Sequence, residues 1–279
     1  MRVFSSMLVV GLAVYAGLSL YLYAFQGRFV YFPDLPTREI DATPKDAGLS
    51  FEPLRIVTED GETLDGWFVP TDAARGTLLY LHGNGGNMGH RIDIIEVFHR
   101  LGLNVLIFDY RGYGRSTGTP SEAGTYRDAM AAWRYLTQTR HIAARDVVFF
   151  GESLGGSIAA WLAERQAPKA LLLYAAFTSV PDMAQQLYPF LPGRLLARYR
   201  YDTKTALAKV RCPVFIMHST EDEIVPYGHA RELFAVAPEP KELLPLRGGH
   251  NDALPNSRAT YVPALDDFLH KIENGKGAR

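Results

Sequence analysis

The apolar residues of this chain follow two patterns, one long uninterrupted run near the amino terminus and then a series of short runs. From about residue 50 onward, short runs rich in β-branched and aromatic residues alternate with helix-sized segments. Nearly continuous apolar runs of this kind are typical of strands buried on both faces. The alternation therefore predicts an α/β fold with a mostly parallel central sheet flanked by helices.

The same pattern predicts the order of the elements. Strands are expected at residues 54–57, 63–69, 77–81, 104–108, 147–150, 170–174, 213–217 and 243–246. Helices are expected at residues 89–101, 121–139, 154–166, 226–237 and 255–272. The first two strands flank the turn sequence Glu59-Asp60-Gly61, which favours an antiparallel hairpin at the sheet edge. The alternation breaks over residues 178–209, which predict a small lid segment.

The long apolar run carries no charge from Val3 to Gly27, and about 20 residues suffice to span a bilayer. Aromatic side chains cluster at its carboxyl end, as at a membrane interface. A signal peptide cleaved after Val14-Tyr15-Ala16 is the alternative, but the run continues past that site, which favours an uncleaved anchor. We therefore expect a transmembrane anchor at residues 1–27 and single-pass membrane localisation. The side of the membrane stays open, because positive charges flank both ends.

Composition and charge narrow the remaining possibilities. With 47% apolar residues the chain can bury a large core, expected as one domain over residues 50–273 after a connector (28–49) and before a polar tail (274–279). The 29 basic and 30 acidic residues give a net charge of −1, so no nucleic-acid partner is expected and membrane contact must be hydrophobic. The single cysteine, Cys212, precedes a predicted strand and is expected to be a packed apolar residue.

A candidate nucleophile lies in Gly151-Glu152-Ser153-Leu154-Gly155, between a predicted strand and a predicted helix. In a Gly-x-Ser-x-Gly sequence at such a junction, the serine occupies a sharp turn that small residues make possible. The helix that follows points free backbone N–H groups at the same place, where they stabilise developing negative charge. This context predicts a nucleophile elbow with Ser153 as the nucleophile.

A serine hydroxyl needs a base, and the base needs an orienting carboxylate. The loop after strand 213–217 carries Asp222, and the loop after strand 243–246 carries His250. Both loops follow strand carboxyl ends, where ligand-facing groups collect in open α/β sheets. The chain order Ser153, Asp222, His250 agrees with the order of the Ser-acid-His triad in this kind of sheet.

Other residues compete for these roles. Glu221 and Glu223 flank Asp222, which is preferred for its spacing before Val225-Pro226. Asp252 and Asp109 are further carboxylates, and Asp109 is expected to be a structural hydrogen-bonding group. His218 and His82 are the alternatives to His250. The other histidines fall on predicted helices or connectors.

The loop Leu81-His82-Gly83-Asn84-Gly85-Gly86 follows a predicted strand and exposes backbone N–H groups. We expect the backbone N–H groups of Asn84 and Leu154 to form the oxyanion hole. A phosphate-binding loop is the alternative, but the loop lacks the Gly-Lys-Ser/Thr ending of a P-loop. The sequence also lacks paired cysteines and a His-Glu-x-x-His motif, so neither a metal nor a cofactor is expected.

Taken together, these motifs resemble those of the α/β-hydrolase superfamily, and more narrowly the single-pass membrane-anchored α/β-hydrolase-domain serine hydrolases. The resemblance covers residues 50–270 and is carried by the segments 81–87, 109–118, 151–156, 222–226 and 249–252. It implies the α/β-hydrolase fold, with Ser153, Asp222 and His250 as nucleophile, acid and base, and a structural role for Ser116. The segment 178–209 is shorter than the cap of many lipases, which leaves the acyl-chain length open.

The resemblance implies cleavage of acyl esters or thioesters in lipids or lipid-modified proteins. Such carboxylesterases, lipases and thioesterases use an acyl-enzyme intermediate. Two alternatives remain, a peptidase-like hydrolase and a catalytically silent hydrolase fold that serves as a binding module. A halide-releasing enzyme would carry aspartate where Ser153 stands.

Overall fold

All eight strands form one sheet, and their bounds lie close to the predicted ones. The computed structural model describes residues 2–275; most of the predicted tail, residues 276–279, lies outside it. The strands are β1 (Glu52–Val57), β2 (Thr63–Val69), β3 (Gly76–Leu81), β4 (Leu103–Phe108), β5 (Val147–Glu152), β6 (Ala170–Tyr174), β7 (Val214–Ser219) and β8 (Lys241–Leu246).

Helices connect the strands and flank the sheet. The α-helices are α1 (Arg2–Ala24), α2 (Gly27–Val30), α3 (Ile92–Arg100), α4 (Glu122–Arg134), α5 (Leu154–Arg165), α6 (Val180–Leu187), α7 (Gly193–Leu196), α8 (Thr203–Leu207), α9 (Gly228–Val236), α10 (Ala253–Asn256) and α11 (Arg258–Glu273). Short 3-10 helices occur at Pro44–Ala47, Met88–Arg91 and Ala144–Asp146, and a π-helical turn occurs at Tyr135–Thr139.

The strand order is β1-β2-β4-β3-β5-β6-β7-β8. Strands β1, β2 and β4 pair antiparallel, and every other neighbouring pair is parallel. The predicted hairpin and the mostly parallel sheet are thereby confirmed. Since the carboxyl ends of β3, β5, β7 and β8 open on one edge, the four loops that carry candidate chemistry meet there.

The core lies on both faces of the sheet. Leu79 and Leu81 pack into the layer that contains α4 and α5, whereas Leu78 and Tyr80 pack into the layer with α3 and α11. Alternation of side chains along a strand explains why consecutive apolar residues serve opposite layers. Each fully buried leucine contributes roughly 1.5–3 kcal/mol, so the sheet is a firm support for the loops at its edge.

Four predicted helices differ in detail from the observed ones. The helix predicted over 89–101 begins as the 3-10 helix Met88–Arg91 and continues as α3. The helix predicted over 121–139 ends as α4 at Arg134 and continues as the π-helical turn, where the Thr137 hydroxyl donates to Trp133 O at 2.9 Å. In place of the helix predicted over 255–272, the structure has α10 and α11, which are separated at Ser257. The Ser257 hydroxyl accepts from Arg247 N and donates to Arg247 O. Pro226 precedes α9 instead of lying within it.

The amino-terminal helix α1 has 23 residues, none of them buried. At 1.5 Å per residue it is roughly 34 Å long, enough to cross a hydrocarbon core of about 30 Å. By length and composition it is a candidate membrane span; a signal sequence would pass the same test.

Beyond α1 the chain lies against the glycine-rich loop that follows β3. Phe32 N donates to Asn84 O at 3.0 Å, and Phe32 forms a parallel bridge with Gly85. The Tyr31 hydroxyl is hydrogen-bonded to the Tyr201 hydroxyl at 2.7 Å. The predicted connector thus contacts both the candidate oxyanion loop and the segment after β6.

Candidate active site

Ser153 occupies the junction between β5 and α5 in a left-handed backbone conformation, with φ of +50° and ψ of −114°. A non-glycine residue in this region is strained, and such strain concentrates at functional sites. Its backbone N–H donates to Tyr174 O at 2.8 Å, which ties the turn to the neighbouring strand β6. The sharp turn predicted for the nucleophile is therefore present.

The glycines of the motif allow three backbone segments to approach one another. A Cβ on Gly151 would lie 2.5 Å from Gly155 O, and a Cβ on Gly155 would overlap Leu81 O at the end of β3. A Cβ on Gly156 would lie 2.7 Å from the Ala176 side chain. The atoms that face Gly151 and Gly155 are backbone atoms, which cannot move aside, so larger residues are excluded at these two positions. The start of α5 can therefore lie against the end of β3 and the glycine-rich loop.

The structure brings the predicted acid and base into contact. His250 Nδ1 lies 2.8 Å from Asp222 Oδ2. The other carboxylate oxygen of Asp222 accepts from Val225 N at 2.7 Å and from Ile224 N at 3.0 Å. Burial alone would raise the pKa of Asp222, but hydrogen bonds from His218, His250 and Val225 hold it well below its usual range. Asp222 is therefore a carboxylate at neutral pH and fixes the imidazole by its Nδ1 edge.

The backbone on both sides of the His250 imidazole is held as well. His250 N donates to Glu223 Oε2 at 3.0 Å, and His250 O accepts from the Tyr174 hydroxyl at 2.9 Å. Glu221 Oε2 accepts from Gly248 N at 3.0 Å. Glu221 and Glu223, the alternatives for the acid, thus bind backbone of the histidine loop instead of the imidazole.

His218, the first alternative base, is wholly buried beneath Asp222. Its Nε2 lies 2.7 Å from Val225 O and 3.4 Å from Asp222 Oδ2. Its Nδ1 is buried and makes no hydrogen bond to the residues described. Because a carbonyl oxygen only accepts, the His218 ring carries its proton on Nε2 and donates it to Val225 O. His218 thus supports the loop that carries Asp222, and it is too buried to contact a substrate.

His82, within the glycine-rich loop, and Asp109, directly after β4, are the remaining alternatives, and both are fully buried. His82 Nδ1 lies 2.7 Å from Gly83 O, and Asp109 Oδ1 accepts from Met88 N at 2.8 Å. The Ser116 hydroxyl donates to Asp109 O at 2.7 Å and accepts from Asp65 N. These side chains organise backbone, as expected for Asp109 and Ser116.

The candidate oxyanion donor Asn84 is held through its other polar atoms. Asn84 O accepts from the Tyr113 hydroxyl at 2.9 Å and from Phe32 N, while the Asn84 side chain donates to Val30 O at 3.1 Å. No hydrogen bond among the described residues uses the backbone N–H of Asn84 or Leu154. Both N–H groups are thus free to donate to a substrate oxygen.

A partly buried ion pair that sequence reasoning missed supports the same loop. Arg91 Nε donates to Glu152 Oε2 at 2.8 Å, and the Tyr80 hydroxyl donates to the same oxygen at 2.6 Å. Arg91 also donates to Gly85 O at 3.0 Å. The variable residue of the Gly-x-Ser-x-Gly motif therefore links the elbow to the oxyanion loop; a glutamate beside the nucleophile is the one signal that pointed to it.

One contact expected of a triad is not formed. Among the described residues, no hydrogen bond joins the Ser153 hydroxyl to the His250 imidazole. Such bonds are often long in ligand-free enzymes and shorten when substrate binds.

Asp252 is exposed and accepts no hydrogen bond from a described side chain. No group of His, Cys, Asp or Glu within residues 2–275 is arranged to hold a metal ion.

Comparison with known proteins is consistent with this architecture. Residues 76–208 match the family model for the α/β-hydrolase fold. The chain is 36% identical to protein bem46 of Schizosaccharomyces pombe, over 89% of this chain and 87% of that protein. It is 32% identical to the membrane protein YNL320W of Saccharomyces cerevisiae, over 91% of each. The Pyrococcus furiosus esterase Pf2001 superposes with a TM-score of 0.71 at 21% identity, covering 87% of this chain and 99% of the esterase.

Proposed function

Because the chain belongs to the α/β-hydrolase superfamily, we propose that it is a membrane-anchored serine hydrolase that cleaves acyl esters or thioesters. The observation that carries the proposal is the 2.8 Å contact between Asp222 and His250, at the sheet edge where the strained Ser153 lies. That the superposed Pyrococcus protein is an esterase favours acyl chemistry over other hydrolase reactions.

In the proposed reaction, the Ser153 hydroxyl attacks the acyl carbon and His250 Nε2 takes its proton. Asp222 holds the proton of the imidazole on Nδ1, so that Nε2 is the basic nitrogen. The backbone N–H groups of Asn84 and Leu154 donate to the oxygen that becomes negative. Collapse of this intermediate expels an alcohol or thiol, which takes the proton from His250. Water then attacks the acyl-enzyme by the reverse route, releasing the carboxylic acid and restoring Ser153.

A lipid or lipid-modified substrate is proposed from the anchor. An enzyme tethered by α1 meets membrane-borne esters at a high effective concentration. The similarity to a yeast membrane protein supports an uncleaved anchor rather than a signal peptide. The intact mass of the mature protein tests this point: retention of residues 2–16 supports the anchor, and their removal contradicts it.

The nucleophile is tested by labelling with a fluorophosphonate and by turnover of p-nitrophenyl butyrate. Ser153→Ala is expected to abolish labelling and lower kcat by at least about 10⁴-fold. Ser50→Ala, which removes an exposed hydroxyl outside the site, is the matched control and keeps both. Labelling that survives Ser153→Ala would contradict the proposal. A wild-type protein that neither labels nor turns over ester would favour the binding-module alternative.

A further inference from the structure

The lid segment (residues 178–209) is hydrogen-bonded to the anchor helix at two depths. Near the carboxyl end of α1, Gln26 Nε2 donates to Leu196 O at 2.6 Å and Gln26 Oε1 accepts from Arg198 N at 2.7 Å. Nearer the amino end of α1, the Tyr15 hydroxyl donates to Phe190 O at 3.2 Å. The segment therefore lies alongside α1 and does not merely touch its end.

The position of Tyr15 shows how far the lid segment extends along α1 from the carboxyl end of that helix. Tyr15 lies 24 − 15 = 9 residues before Ala24, the last residue of α1. At 1.5 Å per residue this is roughly 14 Å. The aromatic and basic residues that suit a headgroup region, such as Tyr21, Phe25 and Arg28, follow Tyr15. Half the thickness of a hydrocarbon core is about 15 Å. In a bilayer that α1 spans, Phe190 therefore lies well below the membrane surface.

The side chains of this region agree with such a position. Leu187, Phe190 and Leu195 are 55%, 64% and 81% exposed, although each is large and apolar. A cluster of large apolar side chains on a surface marks a contact with something apolar. These three side chains belong to the segment that is hydrogen-bonded to α1, whose own exposed apolar side chains are proposed to face lipid.

Two backbone carbonyls within residues 187–196 have hydrogen-bond donors suited to a medium without water. In hydrocarbon each unsatisfied carbonyl costs several kcal/mol, so irregular backbone must find protein donors. Phe190 O and Leu196 O receive donors from Tyr15 and Gln26, both from the anchor. Arg194, the one charged residue within 187–196, pairs with Asp182 at 3.0 Å and has a long stem that can extend toward the surface.

We propose that residues 187–196, the tip of the lid segment, are immersed in the acyl-chain region of the bilayer that α1 spans. The proposal rests on the proposed membrane anchor and adds a second membrane contact to it. The partner is the hydrocarbon of the lipid, and the globular domain is thereby held with its lid segment in the membrane and the amino-terminal edge of the sheet in water.

Spin labels on the full chain in phosphatidylcholine vesicles test this placement. In a Cys212→Ala background, single labels are placed at Leu195→Cys, at Leu187→Cys as a second tip site, and at Val9→Cys within α1. Ala74→Cys, an exposed position before β3 at the opposite edge of the sheet, is the matched aqueous control. Collision of each label with oxygen, which favours lipid, is compared with collision with a water-soluble nickel chelate.

We expect oxygen collisions to exceed nickel collisions severalfold at 195, 187 and 9, and the reverse at 74. If position 9 lies in lipid while 187 and 195 behave like 74, the tip is not immersed and the proposal is overturned, leaving the anchor intact. If position 9 is itself aqueous, the anchor fails and the immersed tip fails with it. Fluorophosphonate labelling of each preparation reports the hydrolase site separately.

Discussion

The histidine loop after β8 and the lid segment after β6 belong to the same molecule but are held in opposite ways. Around His250, the backbone N–H, the backbone carbonyl and Nδ1 each have a protein partner within 3.0 Å. In the lid segment, α7 has four residues and Leu195 is 81% exposed. Proton transfer requires fixed geometry, whereas contact with lipid requires only apolar surface. The comparison indicates that hydrogen bonds fix the backbone and side chain of His250 where chemistry is proposed, whereas the lid segment keeps large apolar side chains exposed.

The largest effect is expected from Asp222→Asn, which keeps the shape of the histidine loop but removes the charge that orients His250. We expect kcat for p-nitrophenyl butyrate to fall about 10⁴-fold, because the imidazole then adopts the wrong tautomer. Asp252→Asn, on an exposed carboxylate nearby, is the matched control and should change kcat less than twofold. Equal losses of kcat in the two variants would contradict the assignment of Asp222 as the acid.

The pKa of Asp222 adds a pH dependence to this test. Burial opposes its charge, but hydrogen bonds from His218 and His250 hold the pKa below its usual range. A lowered carboxyl pKa contributes stability above the unfolded-state value of about 4. That stability is lost only as the pH falls further, toward the folded-state pKa. Wild type should therefore lose more stability than Asp222→Asn in urea titrations below pH 4.

A second test compares glycines in the two regions. Gly155→Ala places a Cβ onto Leu81 O, and we expect the free energy of unfolding to fall by more than about 4 kcal/mol. In the lid segment, Gly193→Ala places a Cβ 2.7 Å from Gln185 N, but α6 and α7 can shift, so a loss of about 1–2 kcal/mol is expected. Urea denaturation measures both.

Gly228→Ala is the matched control, because no atom lies within 4 Å of its added Cβ. Its effect should stay within about 1 kcal/mol. A Gly193→Ala variant as unstable as Gly155→Ala would contradict the view that the lid segment yields more readily than the elbow.

The smallest effect is expected from Glu223→Gln. The glutamine oxygen can still accept from His250 N, but it loses the charge that strengthens this hydrogen bond. We expect kcat/KM to fall roughly tenfold with unchanged fluorophosphonate stoichiometry, since about 1.4 kcal/mol corresponds to a factor of ten. Glu239→Gln, on a carboxylate that is exposed, should have no effect. A loss as large as that of Asp222→Asn would make Glu223 a competitor for the acid.

The hydrophobic pattern determined the order of the helices and strands and the approximate length of α1, because local periodicity and the length of an apolar run are properties of the sequence itself. It also placed Ser153, Asp222 and His250 after strands that end on one edge, since parallel strands present their carboxyl ends together. The interruptions at Tyr135 and Ser257 were not predicted. Hydrogen bonds of the Thr137 and Ser257 side chains to backbone occur there, and hydrophobic periodicity does not report such bonds.

Only the tertiary structure decided among neighbouring candidates of the same chemical type. Glu221, Asp222 and Glu223 are neighbouring carboxylates, but only Asp222 contacts the imidazole, whereas Glu221 and Glu223 accept from backbone N–H groups of the histidine loop. The contact of Tyr15 with Phe190 joins residues 175 positions apart. Such pairings arise from packing across the whole fold, and no local pattern encodes them.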